Sequence, residues 1–156
     1  MGMYGVMKPV SQQDLDALIA NDKLTNTILN DVGVVGLDKA WHAIHFTLAG
    51  DAWGGDGPLA DAVMGGEKVG DDLCYGPARY LKPDAVRAVS SALSSLSTAA
   101  FSERLDPEAL GAAEIYPGIW DDGPFANDYV SAHYELLRST YEAAAAAGEG
   151  MLLAVL

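Results

Sequence analysis

The six residues MLLAVL, Met151–Leu156, constrain this chain more than any other stretch. They are too few for a helix of their own, and as a strand they present apolar side chains to both faces, so both faces must be covered. A sheet with helices on each side follows. A partner strand stands near the other end of the sequence, where MYGVMKPV, residues 3–10, reads as a short strand interrupted by Pro9. The two are expected in one sheet.

Between them the patterning is mostly helical. Ser11, with Asp14 three residues on, comes close to a capping box and opens a helix expected to bury Leu15, Leu18 and Ile19. VGVVGL, Val32–Leu37, is β-branched but broken by Gly33 and Gly36, so strand and loop are evenly matched. Asp38 is placed to cap the next helix, which carries WHAIHF, and Gly50 to end it. Two glycine-rich stretches, GDAWGGDGP at 50–58 and GGEKVG at 65–70, read as loops around the short apolar piece LADAVM. LCYGPARYL, Leu73–Leu81, reads as extended backbone, because Pro77 steers Gly76 out of the helical region. Pro83 starts a helix with Val86, Val89, Leu93 and Leu96 at helical spacing, its serines on the solvated side. Asp106-Pro107-Glu108 starts a shorter one with Leu110. A last helix runs from near Pro124 to about Ala147, with Val130, Tyr134, Leu137 and Tyr141 in one stripe. No repeat or linker divides the 156 residues, a length that suits one domain. The expected fold class is α/β (α+β), a single domain over residues 1–156.

Charge narrows the function. Nine Lys and Arg against 22 Asp and Glu give a net charge of −13, which excludes nucleic acid as a partner, since each phosphate contact needs a cation. An acidic surface favours solubility and speeds encounter with a basic protein partner. No stretch approaches the ~20 continuous apolar residues of a membrane span. The opening MGMYGVMKPV lacks the pattern of a secretory signal, and Val6 stands where a myristoylation motif after Gly2 has Ser or Thr. With a single cysteine, Cys74, and hence no internal disulfide, the expected location is cytoplasmic.

The chemical candidates begin with WHAIHF, Trp41–Phe46. At about 100° per residue Trp41, Ile44, His45 and Leu48 share one arc and His42 lies at its edge, so both histidines point into protein. Helical zinc sites carry histidines four apart with a glutamate between them; here the spacing is three, across Ala43 and Ile44, and His133, Cys74 and Glu114 have no diagnostic spacing to them. A structural, hydrogen-bonding role is expected, with no metal and no cofactor. The glycine-rich loops lack the phosphate-binding fingerprints, which leaves turn chemistry. Cys74 beside Leu73 reads as a small buried hydrophobe. Two segments concentrate aromatic and charged groups. YGPARYL offers Tyr75, Arg79 and Tyr80. AEIYPGIWDD offers Glu114, Tyr116, Trp120 and Asp121 around Pro117-Gly118, which reads as a type II turn. An arginine embedded in an apolar run needs a partner, so Arg79 is expected to pair with Glu114 or Asp121, shielded by Tyr75, Tyr116 and Trp120.

Taken together, MGMYG, WHAIHFTLAG, MGGEKVG, YGPARYL and AEIYPGIWD occur in the order and over the span of the YfbM-like family of bacterial proteins, a domain of unknown function, which this chain resembles. The resemblance implies a three-layer arrangement of helices around a small mixed sheet. It implies no reaction, and Cys74 stands outside its motifs. Two functional readings follow. The preferred one is a non-catalytic binding or interaction module, of accessory or immunity type, whose acidic face meets a basic partner. The alternative is a small-molecule enzyme, a hydrolase using His42 or His45 as acid–base and Arg79 for an anionic substrate group. A cleft joining the histidines and Arg79 to Glu114 would favour the enzyme.

Overall fold

The computed structural model describes residues 2–120 and 124–156. The C-terminal apolar run forms β5 (Gly150–Val155), at the centre of a five-stranded sheet in which β1 (Gly5–Val10) pairs with it along its whole length, from Gly5 opposite Val155 to Val10 opposite Gly150. Beyond β1 lies β2 (Val35–Asp38), and on the other side of β5 lie β4 (Pro77–Leu81) and the edge strand β3 (Glu67–Asp72). The expected joining of the two ends of the sequence in one sheet is thus observed. Every pairing is antiparallel, so the sheet is not the mixed one that the resemblance implied. The apolar run reports two covered faces, a condition that does not fix strand direction, and the short β3–β4 connection permits only antiparallel pairing. Pro9 is tolerated because β2 pairs only with Gly5–Met7, which leaves the outer side of β1 open at that point.

Alternation along β5 defines the layers. Leu152 and Ala154 face a cluster made by Leu15 and Leu18 of α1 (Gln12–Ala20) and Leu29 of α2 (Thr25–Leu29). Met151 and Leu153 face the larger core, built by α3 (Trp41–Ala49), α4 (Pro58–Met64), α5 (Pro83–Ser94), α6 (Thr98–Arg104), α7 (Pro107–Ala112) and α8 (Pro124–Ala146). The three-layer α+β arrangement therefore holds. Ser11 caps α1 as expected, its hydroxyl accepting the Asp14 N–H at 3.1 Å, but Ile19 is 45% exposed rather than buried. The stripe Val130, Tyr134, Leu137, Tyr141 of α8 is fully buried.

Three local expectations are corrected. GGEKVG is not a loop: from Glu67 onward it is β3. Gly66, at φ +91°, lies where a Cβ would collide with the Tyr80 carbonyl, and Gly70, at φ +77°, sits in a bulge between Val69 and Asp72. Asp38 does not cap α3. Its backbone is left-handed, φ 48°, and its carboxylate accepts the Tyr129 hydroxyl at 2.6 Å, while the helix starts from Ala40 without a side-chain cap. Burial, with this bond, pushes the Tyr129 pKa up to about 12. Cys74 is exposed, at φ 88° in the β3–β4 turn, because the Asp72 carboxylate takes the N–H groups of Cys74 and Gly76 and closes the turn beneath it. Gly50 ends α3 as expected, in the left-handed conformation. No described helix is long and apolar enough to cross a membrane.

Candidate functional site

Helix α3 is buried almost all round, and its histidines act as clips. His42 Nε2 lies 2.9 Å from the Ala52 carbonyl, and its Nδ1 accepts the Tyr116 N–H at 3.0 Å. Those partners assign the tautomer: Nε2 carries the proton and Nδ1 is bare. One ring thus ties α3 to the 50–57 loop and to the 115–118 turn. His45, one helical turn on, donates from Nε2 to the Gly54 carbonyl at 2.9 Å, and its Nδ1 is buried with no partner among the described residues. Burial lowers both pKa values. For His42 the bond to Ala52 opposes the shift and the neighbouring His45 adds to it, whereas for His45 the bond to Gly54 and the charge of Asp51 oppose it. The opening GDAWGG of the loop is shaped further by Asp51, whose carboxylate accepts the N–H groups of Trp53 at 2.9 Å and Gly54 at 2.8 Å, bonds that hold its pKa down.

This clipping presents an aromatic surface. The Trp53 ring, 62% exposed, lies 4.4 Å from the His42 ring centroid, and His42 in turn stacks on Trp41 at 4.8 Å and 15°. Trp41 is seated against Gly5, where any side chain would collide with it, and its indole N–H donates to the Met3 carbonyl at 3.1 Å. Tyr116 accepts the Met3 N–H at 3.0 Å, and the Trp120 indole donates to the Ile115 carbonyl at 2.7 Å. Ile115 to Gly118 is a turn closed by Gly118 N–H to Ile115 O at 3.1 Å, with a cis bond before Pro117. Its central pair is therefore Tyr116-Pro117, not the Pro117-Gly118 of a type II turn. Between these pieces lies a cleft of about 560 Å³, bordered by His42, Trp53, Glu114, Tyr116, Pro117 and Trp120. Glu114 reaches it from a left-handed backbone, φ 54°.

The residues expected to form one cleft thus separate. His42, Glu114, Tyr116 and Trp120 line it. His45 lies on the same helix, buried and outside the lining. Tyr75 and Arg79 border a different groove of about 150 Å³ beside α4 and β5. Tyr80 faces the opposite side of the sheet, its hydroxyl donating to Glu67 at 2.6 Å. Asp121 lies outside the described residues. The expected Arg79–Glu114 pair does not form: among the described residues the one ion pair joins Arg87 to Asp84. The reason is topological, since the Tyr116 turn fastens to Met3, just ahead of β1, while Arg79 is on β4 and β5 runs between them. Arg79→Ala is accordingly expected to unfold within about 1 kcal/mol of the wild type, as for a half-buried cation in no ion pair with a described residue. Denaturant titration distinguishes this from the roughly 3–5 kcal/mol of a broken buried pair. Trp53 escaped the sequence reading; its signal was a tryptophan set among glycines and aspartates, where no core requires one. Among the described residues no group of three or more His, Cys, Asp or Glu is placed to hold a metal ion.

Fold and site together define a small α+β domain with an aromatic cleft held open by a histidine clip. The chain belongs to the family described as Domain of unknown function (DUF1877), which matches residues 1–154. Its fold is similar to that of YfbM from Escherichia coli, a protein of unknown function, with a TM-score of 0.80 and 21% identity, covering 98% of this chain and 99% of that one. No curated protein matches the sequence.

Proposed function

We propose that this domain is a non-catalytic binding module whose cleft takes a basic group from a protein partner. The observation that carries the reading is that both ring nitrogens of His42 are committed to backbone groups, so the histidine in the cleft has no nitrogen free to move a proton. The hydrolase alternative also needs Arg79 within reach of that ring, and Arg79 borders another groove. What the cleft offers instead, among the described residues, is an exposed indole face, a tyrosine and one carboxylate, Glu114, on a chain of net charge −13. A guanidinium or ammonium over an exposed tryptophan face gains about 0.5–1 kcal/mol, and more as water is excluded. The acidic surface adds long-range attraction that raises the association rate.

The test is titration with an arginine-containing peptide followed by tryptophan fluorescence. Binding is expected to weaken at least tenfold in Trp53→Ala and in Glu114→Gln, and to weaken with salt. Equal affinity in wild type and both variants would remove the cleft from the reading. Turnover of a generic ester or phosphoester that disappears in His42→Ala, in a variant still folded, would restore the enzyme.

A further inference from the structure

Lys68 and Arg79 face each other directly across the β3–β4 pair, on the sheet face that carries the larger core. Like charges opposed in this way destabilise a sheet. The chain has only nine cations and 22 acids, so counter-ions are abundant, yet neither side chain makes an ion pair or a hydrogen bond to any described residue. An edge lysine has a familiar use, since β3 is an edge strand and Lys68 discourages pairing with other chains. Arg79 has no such explanation. It is on an inner strand, half-buried, opposite Leu153, which is 2% exposed. A guanidinium there carries five donors that no described residue meets.

Of the acids nearest in sequence, exposed Asp71 forms no ion pair with either cation, and the other two are engaged elsewhere. Asp72 is turned into the hairpin turn, accepting the Cys74 and Gly76 N–H groups at 2.8 and 3.2 Å, and Glu67 points to the other face, where it receives the Tyr80 hydroxyl. The two cations border a groove of about 150 Å³ whose floor is apolar, with Val63 of α4 and Leu153 of β5, and whose rim is Tyr75, 51% exposed.

We infer that this groove is an anion site, distinct from the aromatic cleft, and that it takes a phosphate monoester small enough to place its phosphate between Lys68 and Arg79 and its organic part against Tyr75. A dianion cancels the repulsion between the two cations. Arg79 supplies the paired N–H geometry that matches two phosphate oxygens, and Lys68 supplies a mobile point charge. In a chain that repels anions overall, an unpaired cationic pair over an apolar floor is selective by position rather than by net field.

The experiment records backbone amide shifts of the full chain on titration with phenyl phosphate, inorganic phosphate and benzoate at physiological ionic strength. Phenyl phosphate is expected to saturate, with shifts concentrated in residues 67–81. The midpoint concentration should rise at least tenfold in Lys68→Gln, an exposed edge change that leaves the fold intact, and saturation should vanish in the Lys68→Gln/Arg79→Gln double variant. Tyr75→Ala should weaken phenyl phosphate and leave inorganic phosphate unchanged. Glu114→Gln should alter none of these values, which separates this site from the cleft. Shifts that persist unchanged in Lys68→Gln, or benzoate binding as tightly as phenyl phosphate, would overturn the assignment.

Discussion

Leu152→Asp is expected to give no folded protein. Leu152 is completely buried at the middle of the central strand, opposite Lys8 of β1 and Tyr80 of β4, and packed toward α1. A carboxylate there would be desolvated by several kcal/mol, and the Lys8 ammonium on the paired strand already donates to the Val32 carbonyl at 2.6 Å, against a total stability of about 5–15 kcal/mol for a domain of ordinary size. Leu152→Ala keeps the site apolar and should cost about 2–5 kcal/mol, leaving a folded protein with a lower denaturant midpoint. Leu156→Asp, at a position 39% exposed, should be nearly silent. Circular dichroism and urea titration of the three variants check the ordering. A folded Leu152→Asp of wild-type stability would mean that β5 is not covered on the α1 side.

His42→Ala should be the most damaging change near the cleft, lowering stability by about 2–6 kcal/mol. Truncation leaves two partly buried backbone groups, the Ala52 carbonyl and the Tyr116 N–H, without their partner, each costing about 1–3 kcal/mol, and it removes the ring between Trp41 and Trp53. His45→Ala removes one such bond and should cost less. The same geometry sets a pH dependence. Burial lowers both histidine pKa values from 6.5, so below that value the unfolded chain binds protons that the folded chain does not. Stability is therefore complete above pH ~6.5 and falls as the pH drops below it, by up to about 1.4 kcal/mol per unit for each ring. Urea midpoints measured from pH 7.5 to 5 should show this decline, and His42→Ala should show a shallower one. An unchanged slope in that variant would contradict a neutral, clipped His42.

Some of this could be read directly from the sequence because the deciding interaction is local. Ser11 finds its own N–H three residues on, Gly50 takes the left-handed turn, and the α8 stripe repeats at helical spacing. The meeting of residues 5–10 with 150–155 was also legible, since a run apolar on both sides has few places to go. The rest depends on distant partners. GGEKVG carries its glycines for a close carbonyl and a bulge rather than for a loop, and nothing within the segment marks Tyr80 as the neighbour. Asp38 is drawn from the expected cap by a hydroxyl 91 residues away. Arg79 and Glu114 share the composition of a pair, but an intervening strand keeps them apart, and Trp53 becomes a site residue because His42, His45 and Asp51 together hold its loop.

The central place of β5 has a kinetic consequence. Before residues 150–155 dock, β1 with β2 and β3 with β4 are two separate pairs, with no ladder joining them. The strand that unites them must reach across nearly the whole sequence to β1, a closure whose entropy is met before most of the sheet's contacts form. Helices with local periodicity, α5 and α8 above all, can assemble early, but the sheet cannot act as their template. The five-stranded sheet is therefore complete only once this six-residue strand has docked between β1 and β4.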